Sequence, residues 1–456
     1  MQIFGITLNR YSIPIIYLAC AIVGFLLIRE TVHMFQHPIA TRAISVWLGV
    51  GFIALSIPAV YTNKTQLPRK ARILLIIWLA WTLLSTLLGN QPWAAMVRWF
   101  EIFISVLIAL CLYFIISQQP KLITLLAKSI GAAVLLCLLA FVVYWNLLSD
   151  PTKHNWASDI PFFVNIRHFG QLIAVAVPLG YFLLHQYSTD NKNTHWIIGY
   201  LILSWALVFW LGGRGTFLAV VITSILYMPI ACKPAKKWIL ITPLIGAMLS
   251  QFFIVEHPSL NLFRLIAQDG VSLNAYSSFR EVIYIESLIH WWQQAPMMGI
   301  GADGYRHLIP AIGNAESIAH PHSSIIQLLL SFGPIGLLIP TYFFFILTWR
   351  VIRTPSAEQH LTSNDLKAFY LILLSTLILS LFDGILYHAY GLFISSIVAG
   401  ICIAMAFPPE VNTTLDNTEL SEKPSQYWTL LTLTLGIIVT SGYYAVFTYQ
   451  LYHSKY

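Results

Sequence analysis

Charge is scarce in this sequence. Only 9% of its 456 residues are Asp, Glu, Lys or Arg, where a soluble domain carries roughly 25%. So little charge cannot solvate a water-facing surface of this size, and lipid must cover much of the chain. Cysteine is sparse and unpatterned as well. Cys20, Cys111, Cys137, Cys232 and Cys402 lie in apolar runs or at the edge of one. They lack metal-ligand spacing and avoid the long polar loop, which supports neither a disulfide framework nor a zinc site. A short-period repeat is missing. The glycines of "PMMGIGADGY" do not follow a strand, so a dinucleotide fingerprint is unsupported. A cleavable leader is also missing: "SIPIIYLACAIVGFLLI" is long enough to span and has no small-residue cleavage site, so it reads as a first helix.

What the chain has instead is apolar length. Hydrophobic residues make up 58%, and runs of about 18 or more recur from end to end, the mark of a polytopic helical membrane protein. The expected fold is all-α with 12 to 13 spans near 13–29, 43–61, 72–89, 94–117, 121–148, 169–187, 196–211, 215–231, 237–254, 323–348, 366–382, 385–406 and 428–448. That divides the chain into transmembrane helices at 1–254, a long polar loop region at 255–321, and further transmembrane helices at 322–456. A polar, acidic connector at 408–426 reads as flexible. The formal charge of +7 belongs to cytoplasmic loops rather than to nucleic acid. "NKTQLPRKAR", "CKPAKK" and "WRVIR" fall on one side if the N-terminus is inside. The long loop then lies outside, with Arg167, Arg214, Arg264, Arg280 and Arg306 on the side where topology disfavours them.

Several of these polar residues could do chemistry. In "WLGGRGTFLAVV", Arg214 sits at a glycine-softened turn between spans, where a guanidinium could grip an anion such as phosphate or simply snorkel to headgroups. Arg280 opens a stretch with helical apolar spacing (Val282, Ile285, Leu288, Ile289), suited to an amphipathic surface helix. Arg167 and His168 precede a span, in a site or as headgroup anchors. Arg98 and Glu101, one turn apart within a span, read as a structural ion pair. His320 and His322 flank Pro321 at the foot of an apolar run. A histidine can serve as a base near neutral pH, and Pro321 favours extended backbone at His320, so the two rings need not point the same way. With Glu316 and Asp303 they show no metal-ligand spacing. Asp383, Tyr387 and His388 form a further cluster in "FDGILYHAY", where Asp383-Gly384 could equally be a helix-ending turn.

Taken together, "GGRGTFLA", "SSFREVIYIESLIHWWQQAPMMGIGADGY" and "HPHSSIIQLLLSFGPIGLL" resemble the O-antigen ligase, O-antigen polymerase and protein O-oligosaccharyltransferase superfamily over roughly residues 160–405. The resemblance implies a GT-C-type membrane enzyme without metal or other cofactor. It would act at the periplasmic face of the bacterial inner membrane, moving a glycan from undecaprenyl diphosphate to a hydroxyl. Carried over by motif, His322 would be the general base, and Arg214 and Arg280, with Arg167 as a third cation, would neutralise the donor pyrophosphate. His320, Ser323, Asp383 and Tyr387 would line or position the acceptor. Ser323 departs from the family's Asn at that place, so an amide's geometry is lost.

Within that superfamily, the compact length, "NIRHFG" and "DGILYHAY" are most like the pilin-type O-oligosaccharyltransferases. The acceptor would then be a Ser or Thr of a protein such as type IV pilin. The alternatives are lipid A–core in a ligase, or a second lipid-linked glycan in a polymerase. A lipid or solute transporter is the competing class, but its polar groups belong near the bilayer midplane, often in repeated halves. Here they gather on one side.

Overall fold

A computed structural model describes residues 2–3, 6–7, 9–31, 38–61, 67–156, 159–161, 163, 166–187, 191–255, 280–305, 320–354 and 363–408. Apart from a two-residue antiparallel ladder near the N-terminus, the described secondary structure is helical: α1 Ser12–Thr31, α2 Pro38–Tyr61, α3 Arg69–Leu88, α4 Pro92–Gln118, α5 Leu122–Leu147, α6 Ile166–Tyr187, α7 Asn191–Leu211, α8 Arg214–Tyr227, α9 Lys233–Ser250, α10 Arg280–Gln294, α11 Ser324–Arg353, α12 Ser363–Ser380 and α13 Ala389–Ala406. Eight of them are long and apolar enough to cross a membrane. The first twelve expected spans coincide with helices. The thirteenth, at 428–448, lies outside the described residues, as do all of the acidic connector beyond Pro408, Arg264, Arg306 and Glu316. None of the five cysteines is joined in a disulfide.

Helix α6 is the axis of the bundle: every residue from Phe169 to Leu184 is buried. Small residues let neighbours come close, and a Cβ added at Gly180 would lie 2.5 Å from Leu201 Cδ2. Proline sets the register. Pro178 has no N–H to offer the carbonyl of Ala174 four residues back, and in hydrocarbon an unpaired carbonyl costs several kcal/mol. The Ser375 hydroxyl of α12 donates to that carbonyl at 2.7 Å.

The same device fixes α11 to α3 and to the loop before it. Pro334 frees the Leu330 carbonyl, which accepts the Ile300 N–H at 2.8 Å. Pro340 frees the Gly336 carbonyl, which accepts Trp78 Nε1 at 3.0 Å. Around the break at Gly333, the Ser331 carbonyl accepts Ser85 Oγ at 2.7 Å and the Gly301 N–H at 3.0 Å. The Phe332 carbonyl accepts Trp81 Nε1 at 2.8 Å. These contacts run α3 antiparallel to α11 and clamp "GIGADGY" onto the broken helix. Only glycine fits the break: Gly333 has φ 68° and ψ −169°, a region essentially closed to other residues.

Gly333→Ala should therefore be strongly destabilising. The added Cβ would lie 2.0 Å from the Met297 carbonyl oxygen, and the backbone strain alone costs about 1–3 kcal/mol. The thermal unfolding midpoint in detergent should drop. Gly199→Ala, where a Cβ meets open space, should not lower it. An unchanged midpoint for Gly333→Ala would contradict the account of the break.

Candidate functional site

One end of the bundle gathers the polar residues. Gly384 stands between α12 and α13 with the His320 ring against its backbone: a Cβ there would lie 2.3 Å from His320 Cε1. The rings of His320 and His322 lie 4.3 Å apart, centroid to centroid. Pro321 does not separate them, because His322 adopts φ 53° and turns the chain back. In that turn the His322 N–H donates to His320 Nδ1 at 3.2 Å. His322 Nδ1 lies 3.8 Å from Asp383 Oδ1, with both side chains almost wholly buried. Asp383 also accepts the Gly384 N–H at 2.7 Å and the Gln171 amide of α6 at 3.4 Å.

Three arginines approach the same place. Arg214 is the first residue of α8, whose N-terminal turn is pressed against α12: a Cβ at Gly215 would lie 3.1 Å from Leu379 Cδ1 and 3.5 Å from Phe382 Cβ. The Thr216 hydroxyl reaches the Gly170 carbonyl at 3.4 Å, bringing the start of α8 beside the start of α6, where Arg167 and His168 stand. Arg280 begins α10. One turn later the Tyr284 hydroxyl lies 3.3 Å from the His322 carbonyl and 3.2 Å from that of Leu381, hooking α10 over both loops. Arg280 is half-buried, and burial pushes its pKa down. Asp383 and Tyr284 oppose that shift, while Arg167 and Arg214 add to it by repulsion. The three guanidiniums thus share one electrostatic neighbourhood with Asp383, and such a cluster favours an anion between them.

Behind His320 lies a second polar layer. Its ring packs 4.7 Å from that of Tyr387, and Tyr387 is held between Arg42 and Arg98, whose guanidinium carbons lie 4.7 and 4.9 Å from its centroid. The Tyr387 hydroxyl donates to Asp303 Oδ1 at 2.5 Å. Arg42 lies 3.5 Å from Asp303 and 3.7 Å from Glu101. Arg98 pairs with Glu101 and donates to the Leu386 carbonyl at 2.7 Å. The Arg98–Glu101 ion pair is thus one part of a larger network. Ser323 is buried and N-caps α11 through its backbone carbonyl, without a side-chain cap bond.

Burial also sets the proton affinities. It pushes His320 down, the neighbouring His322 adds to the shift and Asp383 opposes it, leaving the imidazole at about 3. Burial alone would raise Asp383. The His322 and His320 imidazoles and the Gly384 N–H outweigh it and hold the carboxyl at about 2. His388 is pushed well below its ordinary value by burial and then by His168; the two rings lie 4.0 Å apart. Among the described residues no three His, Cys, Asp or Glu side chains converge as metal ligands.

A cavity of about 690 Å³ meets the His320 side of this layer. From Asp303, His320 and Tyr387 it runs between apolar walls down to Lys70 and Arg350 at the other end of the bundle. Two residues of the site carried a weak sequence signal and were not singled out from it. Arg42 and Gln171 are polar residues inside apolar helices, which are costly there and mark function by default. His388 belongs to "FDGILYHAY" and packs on His168 and His320.

Residues 199–341 match a family model described as O-Antigen ligase. That stretch runs from α7 to the middle of α11 and holds Arg214, Arg280, His320 and His322. The match supports the superfamily likeness carried by the motifs. No curated protein matches the chain.

Acid should loosen this site. A histidine whose folded pKa is depressed binds fewer protons than in the unfolded chain, so stability is lost as pH falls from about 6.5 toward 3. For His320 the loss at pH 5 is on the order of 2 kcal/mol. Asp383, also depressed, adds the same sign below about pH 4. Thermal midpoints measured from pH 7.5 to 5 should fall more steeply in the wild type than in His320→Asn. Parallel curves would contradict a buried neutral imidazole.

Proposed function

We propose that the chain is a glycosyltransferase that moves an oligosaccharide from undecaprenyl diphosphate to an acceptor hydroxyl. The observation that carries this reading is the convergence of Arg167, Arg214 and Arg280 on the His322–Asp383 pair. Displacing a diphosphate needs cations where negative charge develops and a base for the incoming hydroxyl. Arg214 adds the positive end of the α8 dipole to its own charge.

In the reaction, the acceptor oxygen forms a bond to the anomeric carbon of the glycan. The bond from that carbon to the phosphate oxygen breaks, and the electron pair leaves with the polyprenyl diphosphate. The acceptor's proton passes to His322. Asp383 faces Nδ1 and favours the tautomer protonated there, which leaves Nε2 free to act as the base. Arg167, Arg214 and Arg280 hold the diphosphate as its charge grows. The apolar cavity offers lipid-borne material a path along the bundle. With the basic ends of α3, α9 and α11 inside, the site faces the periplasm of a bacterial inner membrane. The chain then reads as two sets of transmembrane helices, 1–254 and 322–456, joined by a periplasmic loop region.

For the acceptor we favour a Ser or Thr of a periplasmic-side protein such as type IV pilin, on the likeness of "NIRHFG" and "DGILYHAY" to the pilin-type enzymes. A second reading, transfer to lipid A–core, is favoured by the description of the matched family.

His322→Ala should lower turnover by about 10²–10⁴-fold with donor binding retained. Arg214→Lys should also lose most activity, because a point charge cannot replace the bidentate fork. Wild-type turnover in either would contradict its assigned role. Deleting the gene should remove a discrete glycan mass from pilin and leave the lipopolysaccharide ladder intact. A ladder collapsed to bare core with pilin unchanged would establish the ligase reading instead.

A further inference from the structure

His322 is strained. It is one of only two non-glycine residues with positive φ among those described, and a left-handed conformation is costly for such a residue and persists only where its surroundings enforce it. Its own N–H donates to His320 Nδ1 at 3.2 Å. To accept that hydrogen bond Nδ1 must carry a lone pair, so His320 is a neutral imidazole protonated on Nε2.

His320 is in turn held on two sides. Its edge meets the Gly384 backbone, with no room for a side chain. Its face lies on Tyr387, pinned by the bond to Asp303 and by Arg42 and Arg98. The contact chain therefore runs from α2 and α4 through Tyr387 to His320, and from the His320 ring to the backbone of His322.

We infer that His320 is a positioning residue, a backbone latch whose Nδ1 lone pair holds His322 in the left-handed turn that aims its ring at Asp383. It takes no part in the proton transfer. The inference rests on His322 being the base, and it replaces an acceptor-lining role for His320.

The two nitrogens of an imidazole can be mimicked separately. The side-chain oxygen of Asn falls near Nδ1, and Asn before Pro readily accepts the N–H two residues on, as in an Asx turn. Gln extends one carbon further, toward the place of Nε2, and cannot close that turn in the same geometry. Neither side chain titrates. A latch predicts that the two variants separate; an acid–base or shuttle role predicts that they fail together.

The experiment compares wild type, His320→Asn, His320→Gln and His322→Ala in lipid nanodiscs, with a synthetic polyprenyl diphosphate glycan as donor and a hydroxyl acceptor peptide. kcat, donor KM and the pH–rate profile are read for each, with thermal midpoints to confirm folding. We expect His320→Asn to keep at least about tenfold more kcat than His320→Gln, with similar donor KM. The acidic limb of its pH–rate profile should stay where the wild type has it, since a latch takes no part in the proton transfer. Equal losses in two folded variants, or a shifted limb in His320→Asn, would overturn the latch. Wild-type activity in His322→Ala would instead overturn the proposed base, a separate result.

Discussion

The arrangement depends on a single constraint: inside a membrane, a carbonyl released by proline must find another donor. Pro178, Pro334 and Pro340 release the carbonyls of Ala174, Leu330 and Gly336. Donors come from Ser375, the Ile300 N–H and Trp78. Each replacement bond fixes one element against another at a defined height. The first sets α6 against α12, and so places Gln171 opposite Asp383. The others tie α3 and the glycine loop to α11, and so place the histidine pair at that helix's mouth. Hydrophobic contact alone would not fix these registers, because lipid tails are as apolar as the leucines they would compete with.

On that frame the polar groups fall into two layers with different work. The front layer carries Arg167, Arg214, Arg280, Asp383 and His322, groups that can meet an anion and a hydroxyl. The rear layer carries Arg42, Arg98, Glu101, Asp303 and Tyr387, charges that largely satisfy one another. A buried pair of opposite charges adds little net stability, and its use lies in fixing geometry. Here it fixes the ring on which His320 rests. Burial keeps His320 neutral and able to accept a hydrogen bond, while Asp383 stays charged beside His322.

Much of this was legible in the chain. Apolar length gave the helices, and the glycines around Arg214 marked a turn at which backbone could approach closely. The histidine pair stood out because imidazole is costly at a bilayer boundary. Other features were hidden. The apolar stripe of α10 was readable, and Val282, Ile285, Leu288 and Ile289 are exposed as on a surface helix; that Ile283 and Ser287 pack inward was not. Pro321 left the two rings free to point different ways, and the left-handed backbone at His322 brings them together. Arg42 joins a site more than 250 residues away in sequence, and local spacing holds no trace of such a contact.

In the proposed reaction the arginine cluster and His322 cleave a glycan from a polyprenyl diphosphate rather than move it intact. Its most direct test is a sealed, reconstituted vesicle carrying the purified chain, a defined polyprenyl diphosphate glycan and an acceptor. Free polyprenyl diphosphate, glycosylated acceptor and intact donor on each leaflet are then measured together. Free polyprenyl diphosphate should appear in equal amount to glycosylated acceptor, drawn from one leaflet. Intact donor that changes leaflets with no polyprenyl diphosphate released would contradict it and make the chain a transporter.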